Sequence, residues 1–108
     1  MTITEVQNEI DLWIKKYGVR YFNDLTNLSI LMEEVGELAR IYARKFGEQS
    51  FKETETNHSL EDEMADILFV LMCMANQNNI NLEDAMRKNL AKKTNRDSKR
   101  HLGNKKLK

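Results

Sequence analysis

The sequence predicts an all-α protein, and three observations lead to this fold class. The chain of 108 residues contains no proline and only 4 glycines. Leucine, methionine, alanine, glutamate, lysine and arginine, which favour helices, are abundant. Apolar residues recur with helical spacing in four segments, and the sequence contains no strand pair, internal repeat or low-complexity tract. A chain of this length suits a single domain with a real core.

The first helix is predicted from a stripe of apolar residues at positions i, i+4, i+7, i+8 and i+11 of the N-terminal segment. These residues are Val6, Ile10, Trp13, Ile14 and Tyr17. Thr2 or Thr4 can cap the helix, with Glu5 or Gln7 completing a capping box. Gly18 is expected to end it, and the segment GVRYFNDLTN then serves as a connector.

The second helix is predicted to begin between Asp24 and Ser29 and to run to about Phe46, where Gly47 is a natural stop. Its apolar stripe is predicted to consist of Leu31, Val35, Leu38, Ala39, Tyr42 and Phe46. The polar segment EQSFKETETNH that follows is predicted to be a loop.

The third helix is predicted to start at Ser59, with Asp62 as its capping partner. From residue 67 to residue 75 it is apolar on every side, which implies burial on every side. The segment NQNNIN interrupts the helical pattern, and the fourth helix starts near Asn81. The inward face of this last helix is predicted to hold Leu82, Ala85, Met86 and Leu90.

Charge is divided unevenly along the chain, although the net charge is zero. Residues 1–86 carry 7 basic and 16 acidic residues, whereas residues 87–108 carry 10 basic residues and one acid, Asp97. An acidic body followed by a basic segment suggests an anionic partner. A solvated C-terminal tail is the plain alternative for the last eight residues.

The single cysteine and the apolar segments bear on where the protein works. Cys73 cannot form a disulfide within the chain, and it lies in an apolar run that is typical of a core. The N-terminal segment is too polar for a signal peptide, and the apolar stretch at residues 67–75 is too short to span a bilayer. We therefore predict a cytoplasmic protein without a membrane partner.

Two pairs of acids lie close to predicted apolar surface. Glu34 and Glu37 are three residues apart in one helix, and Glu63 and Asp66 are three apart in another. Acids at this spacing share one face of a helix, about 60° apart. The helix dipole favours acids in a first turn, which can account for Glu63 but not for Asp66.

A carboxylate on a helix that is buried all round must be paired, protonated or bound to a cation. The third helix carries no lysine or arginine that could pair with its acids. Acids without histidine or cysteine nearby favour a hard cation, Mg²⁺ first and Mn²⁺ next. His58 and His101, in the predicted loop and tail, are expected to be exposed. The alternative for EEVGE is an ordinary solvated face.

The segments EEVGE at residues 33–37 and EMAD at residues 63–66 together resemble the motif of the MazG-type all-α nucleoside triphosphate pyrophosphohydrolases. The resemblance covers nearly the whole chain. It implies a four-helix-bundle-like fold completed by subunit packing, with a catalytic domain at residues 1–96 and a basic tail at residues 97–108. It also implies cleavage between the α- and β-phosphates of a (deoxy)nucleoside triphosphate, which gives a monophosphate and pyrophosphate.

The resemblance implies roles for individual residues. The Mg²⁺ ligands would be Glu34, Glu37, Glu63 and Asp66, with Mn²⁺ as a possible substitute. Glu33 is the candidate that orients or deprotonates the attacking water, and a solvent-facing acid is the alternative. The phosphate-binding candidates are Lys93, Asn95 and Arg96, with Lys92, Lys99 and Arg100 as competitors. The base-binding candidates are Trp13, Phe22 and Asn27, and core packing is the alternative for Trp13.

Base preference stays open, since Asn23 stands in the region where some members of the family use histidine. The resemblance suggests dimers that pair into tetramers, which would bury the third helix. The implied role is the clearing of unwanted or damaged triphosphates. The nearest alternative is a phosphoribosyl-ATP pyrophosphohydrolase of histidine synthesis, but GVRYF and Trp13 favour the standalone MazG-like type. A non-catalytic helical module that binds nucleic acid would leave the acids unexplained, so we do not expect nucleic acid as a partner.

Overall fold

The computed structural model describes residues 1–53 and 59–108. It contains four α-helices and no strand among those residues, which confirms the predicted all-α class. The helices are α1 (Ile3–Trp13), α2 (Asp24–Lys45), α3 (Leu60–Gln77) and α4 (Leu82–Asp97). A short 3₁₀ turn, Lys105–Leu107, follows α4. The prediction for His58 concerns a residue outside the described ranges, and His101 is exposed as expected.

Every α-helix begins at a side chain that caps it. Thr2 accepts a hydrogen bond from the Glu5 backbone N–H, and the Glu5 side chain accepts one from the Thr2 backbone, which completes the capping box. Asn23, Ser59 and Asn81 each accept a hydrogen bond from the backbone three residues later. Each cap accepts a hydrogen bond from a backbone N–H of the first turn that has no partner within the helix. Each contributes about 1 kcal/mol to the stability of the fold.

The end of α1 departs from regular geometry. The helix widens at Ile14 into a π-helical segment, Ile14–Gly18. Val19 then adopts φ 69° and ψ −59°, and the Arg20 backbone N–H donates to the Gly18 carbonyl at 2.8 Å. These values define a γ-turn with positive φ, a rare conformation that is strained for a β-branched residue. Gly18 therefore ends the helix as predicted, but through two irregular turns.

The core lies where α3 meets α1 and α2. Ile10 and Ile14 from the first helical segment pack against Met72 and Cys73 of α3. Partly buried residues surround this cluster, namely Ile3, Val6, Tyr21, Phe69 and Leu82. The α2 helix packs along α3, and its Ile41 is only 1% exposed. Since α3 contributes to both contacts, it is the central helix of the chain.

A polar network joins the helices at the end of α3. The buried Gln7 side chain donates to Asn76 Oδ1 at 3.0 Å and to the Ile80 carbonyl at 2.9 Å. Its Oε1 accepts from the Leu82 backbone N–H at 2.8 Å. Asn76 donates in turn to the Gln7 carbonyl and to the Tyr21 hydroxyl. Because these polar groups are mutually satisfied, the network specifies how α1, α3, α4 and the connector meet.

The apolar stripe predicted for α2 is wrong in part. Val35, Tyr42 and Phe46 are exposed, the last by 64%, whereas Ile41 is buried and Glu34 is half-buried. The inner face of α2 is therefore the one that carries Glu34. The helix has apolar residues on two faces, and the sequence period alone does not say which of them meets α3.

Other predicted burial is also wrong for a single chain. Residues of the first, third and fourth helices that were expected to face inward are exposed: Trp13, Tyr17, Leu68, Leu71, Met86 and Leu90. Within the described residues, α3 packs against α2 and α1, and α4 packs mainly on α1, so the remaining faces of these helices stay exposed. Four helices of this length leave part of each apolar surface uncovered.

The network predicts a large effect for Gln7→Leu. The substitution removes a donor and an acceptor, and leaves the Asn76 oxygen, the Ile80 carbonyl and the Leu82 N–H without that partner. We expect the free energy of unfolding to fall by about 2–4 kcal/mol, measured by urea denaturation. Asn8→Leu, at the exposed neighbouring position, is the matched control and should change it by less than about 0.5 kcal/mol. Equal effects of the two substitutions would contradict this account.

Candidate active site

Three carboxylates from two helices meet at one point of the structure. Glu34 of α2 and Glu63 and Asp66 of α3 each place an oxygen within 4.8 Å of the others. The packing of α2 along α3 brings Glu34 to this position, and the three-residue spacing puts Glu63 and Asp66 on one face. Asp66 is exposed, and Glu63 holds the buried oxygen, which corrects the expectation of a buried Asp66.

The Glu63 carboxyl lies in an unfavourable position for an isolated charge. Its Oε2 is buried and has no hydrogen-bond partner among the described residues. Burial, then the neighbouring Glu34 carboxyl, and then the charges of Asp66 and Glu37 raise the pKa of Glu63 to about 7. Like charges this close cannot all ionise freely without a proton or a cation between them.

The donor set fits a divalent cation of the hard type. The cluster offers only carboxylate oxygens, which are the ligands that Mg²⁺ and Mn²⁺ prefer. The unpartnered, buried Oε2 of Glu63 is an acceptor that a cation would satisfy. The three carboxylates therefore fit a bound metal ion. Without a cation, their negative charges would repel one another.

The two other acids of the EEVGE segment lie outside this trio. Glu37 is half-exposed and accepts hydrogen bonds from Arg40 Nε at 3.3 Å and Nη2 at 3.0 Å. An exposed pair of this kind contributes only about 0–1 kcal/mol. Glu37 remains close enough for its charge to act on Glu63. Glu33 is exposed and lines neither the carboxylate cluster nor the adjoining cavity.

A cavity of about 430 Å³ adjoins the carboxylates, and Glu34 and Asp66 form part of its wall. The three predicted base-binding residues, Trp13, Phe22 and Asn27, line the same cavity. The remaining lining residues are Ile14, Gly18, Arg20, Tyr21, Ile30, Phe69, Val70 and Cys73. A volume of this size is typical of sites for small ligands.

Trp13 belongs to the cavity wall, and its ring is not buried in the core. The indole is 50% exposed and packs edge-on against Phe69, with ring centroids 5.7 Å apart. Tyr17 is a second aromatic neighbour, with its ring centroid 5.6 Å from that of Trp13. A half-exposed aromatic ring in a cavity wall offers a surface against which a planar ligand can pack.

Asn27 is buried, and its amide orientation is fixed by the connector. Its Nδ2 donates to the Phe22 carbonyl at 3.3 Å and to Gln77 Oε1 at 2.8 Å. The Gln77 Nε2 also donates to the Phe22 carbonyl. Because a carbonyl only accepts, both amides must present nitrogen to it. Asn27 Oδ1 is therefore left as an acceptor, with no donor to it among the described residues.

The predicted phosphate-binding residues are not brought to the cavity within one chain. Lys93, Asn95 and Arg96 are exposed on α4, and none of them lines it. Arg96 pairs instead with Asp97, at 3.0 Å from Nε and 2.8 Å from Nη2. Arg20 and Tyr21 do line the cavity, although the sequence pattern predicted no role for them. The GVRYF segment was a visible signal, but its turn geometry has no local sequence signature.

Comparison with known proteins identifies the fold and the class. The model of the MazG nucleotide pyrophosphohydrolase domain matches residues 22–101. YpjD of Bacillus subtilis, an uncharacterized protein, is 40% identical over 99 residues, which span 92% of this chain and 89% of YpjD. The crystal structure of YpjD matches with a TM-score of 0.75, covering 85% of this chain and 94% of that one.

A second solved structure gives the same result. The Bacillus-conserved MazG protein, a nucleotide pyrophosphohydrolase, is 38% identical with a TM-score of 0.73, covering 85% of this chain and 88% of its own. The fold and site thus define an all-α hydrolase that acts on phosphoanhydride bonds. The chain belongs to the MazG nucleotide pyrophosphohydrolase family. Within the described residues, no helix has the length and apolar character needed to cross a membrane.

The raised pKa of Glu63 predicts how the stability of the metal-free protein depends on pH. The folded-state pKa of about 7 lies above the ordinary value of 4.5. The stability linked to Glu63 is therefore fully present below pH 4.5, and is lost as the pH rises through 7. In EDTA, the wild type should lose melting temperature between pH 5 and pH 8, and Glu63→Gln should lose less. Glu61→Gln, which replaces an exposed acid of the same helix, should follow the wild type. Parallel profiles for all three proteins would show that Glu63 is not the titrating group.

Proposed function

We propose that this protein is a Mg²⁺-dependent pyrophosphohydrolase that cleaves a (deoxy)nucleoside triphosphate to a monophosphate and pyrophosphate. One observation carries the proposal: carboxylates from Glu34, Glu63 and Asp66 converge within 4.8 Å beside a cavity of about 430 Å³ with aromatic walls. The carboxylates suit a cation that binds phosphates, and the cavity suits a nucleoside. Membership of the MazG family supports this reaction class.

The charge of the substrate explains why the acids call for a cation. A triphosphate carries about four negative charges, and carboxylates alone would repel it. A bound Mg²⁺ would offset these charges and lower the pKa of a nearby water. We assign Glu34, Glu63 and Asp66 as its ligands, together with Glu37, whose exposed pair with Arg40 is weak. Mn²⁺ is expected to substitute.

The remaining roles follow from position in the cavity and from the family resemblance. Trp13 and Phe22 would stack on the base, and Asn27 Oδ1 would accept a hydrogen bond from its edge. Glu33 would orient or deprotonate the attacking water, an assignment that rests on the resemblance and on its place beside Glu34. A cytoplasmic role in clearing unwanted triphosphates is part of the same proposal.

We further propose a homo-oligomer, dimer or tetramer, in which neighbouring subunits complete the site. Lys93, Asn95 and Arg96 would then reach the phosphates bound by another subunit. Two features support this arrangement. Large apolar side chains of α2 and α3 are exposed, among them Met32, Val35, Leu68 and Leu71. The acidic residues 1–86 and the basic residues 87–108 also have complementary charge. Light scattering at micromolar concentration checks this assembly, and a clean monomer would contradict it.

The products of the reaction test the proposed activity. With Mg²⁺ and a panel of nucleoside triphosphates, we expect equal amounts of monophosphate and pyrophosphate, separated by ion-exchange chromatography. EDTA should abolish turnover, and Mn²⁺ should restore part of it. Release of orthophosphate and diphosphate would show that a different bond is cleaved.

Asp66→Asn tests the assigned cation site. The substitution keeps the shape of the side chain and removes one ligand charge. We expect kcat/KM to fall by about a hundredfold or more, because loss of even a supporting contact to a metal lowers activity by about 10–100-fold. The stabilisation by Mg²⁺ in thermal melts should also shrink. Asp62→Asn, on an exposed residue of the same helix outside the cluster, is the matched control and should retain activity. Equal Mg²⁺ stabilisation of wild type and Asp66→Asn would place the cation elsewhere.

A further inference from the structure

The connector between α1 and α2 contains a strained turn that aims one side chain at the cavity. Val19 has φ 69° and ψ −59°, in a γ-turn closed by the 2.8 Å hydrogen bond from the Arg20 N–H to the Gly18 carbonyl. A β-branched residue in this conformation is destabilised by about 1–3 kcal/mol. Strain of this kind persists where the surroundings impose it, and it clusters at functional sites. Gly18 and Arg20, on either side of Val19, both line the cavity.

The Arg20 side chain makes one hydrogen bond, to a residue whose own side chain is held by two others. Its Nη1 donates to the Tyr21 carbonyl at 2.8 Å. The Tyr21 hydroxyl donates to Asp11 Oδ1 at 2.6 Å and accepts from Asn76 Nδ2 at 3.1 Å. The residue that anchors Arg20 is thus tied to both α1 and α3. Such preorganisation lowers the entropy that the guanidinium loses when it binds a ligand.

Arg20 also has donors available for a ligand. It is the one cationic residue among those that line the cavity, where the acids are Glu34 and Asp66. Within residues 1–53 and 59–108, Arg20 forms no ion pair with any carboxylate. A guanidinium has five N–H donors, and a single one is used in the contact with Tyr21. Its planar fork matches the oxygens of a phosphate.

We propose that Arg20 binds the phosphate that stays on the nucleoside, which is the α-phosphate of the substrate and the phosphate of the monophosphate product. The proposal rests on the proposed function above. Arg20 precedes Tyr21 and Phe22 in the same segment of the cavity wall, where the base is expected to stack. The phosphate bonded directly to the nucleoside is therefore the one nearest this segment. The carboxylates that would hold the cation come from α2 and α3 instead.

Direct binding measurements separate this role from a general effect of charge. The probes are dAMP, dCMP, dGMP and dTMP, the four corresponding nucleosides and inorganic pyrophosphate, each titrated by calorimetry in the presence of Mg²⁺. For the monophosphates that the wild type binds, Arg20→Gln should raise Kd about tenfold or more, because a charge-assisted contact is lost. The Kd of the nucleosides and of pyrophosphate should change by less than about twofold. Arg20→Lys keeps the charge without the fork and should recover only part of the affinity.

The matched control is Lys16→Gln, which removes the same charge from an exposed residue four positions away that does not line the cavity. It should leave every Kd within about twofold of the wild type. The proposal is overturned if Arg20→Gln binds monophosphates like the wild type, if it loses nucleosides equally, or if Lys16→Gln has the same effect. It is also overturned if the wild type binds none of the four monophosphates.

The same proteins distinguish this inference from the proposed function. A wild type that releases pyrophosphate, with an Arg20→Gln variant of unchanged monophosphate affinity, would leave the reaction standing and remove the role of Arg20. If the wild type releases orthophosphate and the Arg20→Gln variant selectively loses affinity for monophosphates, the proposed reaction is wrong and the role of Arg20 stands. Arg20 is exposed, and melting temperatures of the variants within a few degrees of the wild type are expected.

Discussion

The packing of α2 along α3 is the constraint on which the rest of this structure depends. It places Glu34 beside Glu63 and Asp66, with an oxygen of each within 4.8 Å of the others. Carboxylates at such distances repel one another, and burial of the Glu63 oxygen adds to the penalty. The helical interface therefore holds an arrangement that is unfavourable without a proton or a cation. The chain with this arrangement belongs to a family of nucleotide pyrophosphohydrolases.

The connector between α1 and α2 forms the other wall of the cavity, and hydrogen bonds hold it in place. The wall that carries the carboxylates is held by the packing of α2 on α3 instead. The π-helical segment and the γ-turn at Val19 are irregular, and the turn is strained. The satisfied network of Gln7, Asn76 and Tyr21 fixes the connector against α1 and α3. Several hydrogen bonds at about 1 kcal/mol each are enough to offset the strain of one residue. One wall of the cavity is therefore formed by packed helices, and the other by a connector that hydrogen bonds fix in place.

Within a single chain, the α4 residues that we propose as phosphate ligands lie outside the cavity. Its basic helix, α4, keeps Lys93 and Arg96 on an exposed surface away from the cavity, and large apolar residues of α2 and α3 remain uncovered. Both features concern surfaces that the fold of one chain leaves exposed. The proposed assembly of subunits would resolve both at once, because it would cover apolar surface and bring cations to the phosphates.

The sequence by itself determined the local features of this protein. Composition and period predict the helix positions and the Ser59 cap, because these depend on contacts within a turn or two. For the first helix they left Thr2 and Thr4 as alternative caps, of which the structure has Thr2. The resemblance of EEVGE and EMAD to a family motif added the reaction class. Only the tertiary structure decided that Glu63, and not Asp66, holds the buried oxygen, and that Arg20 lines the cavity. These outcomes depend on which helix faces meet and on a turn imposed by distant contacts, and neither is encoded in the period of a single segment.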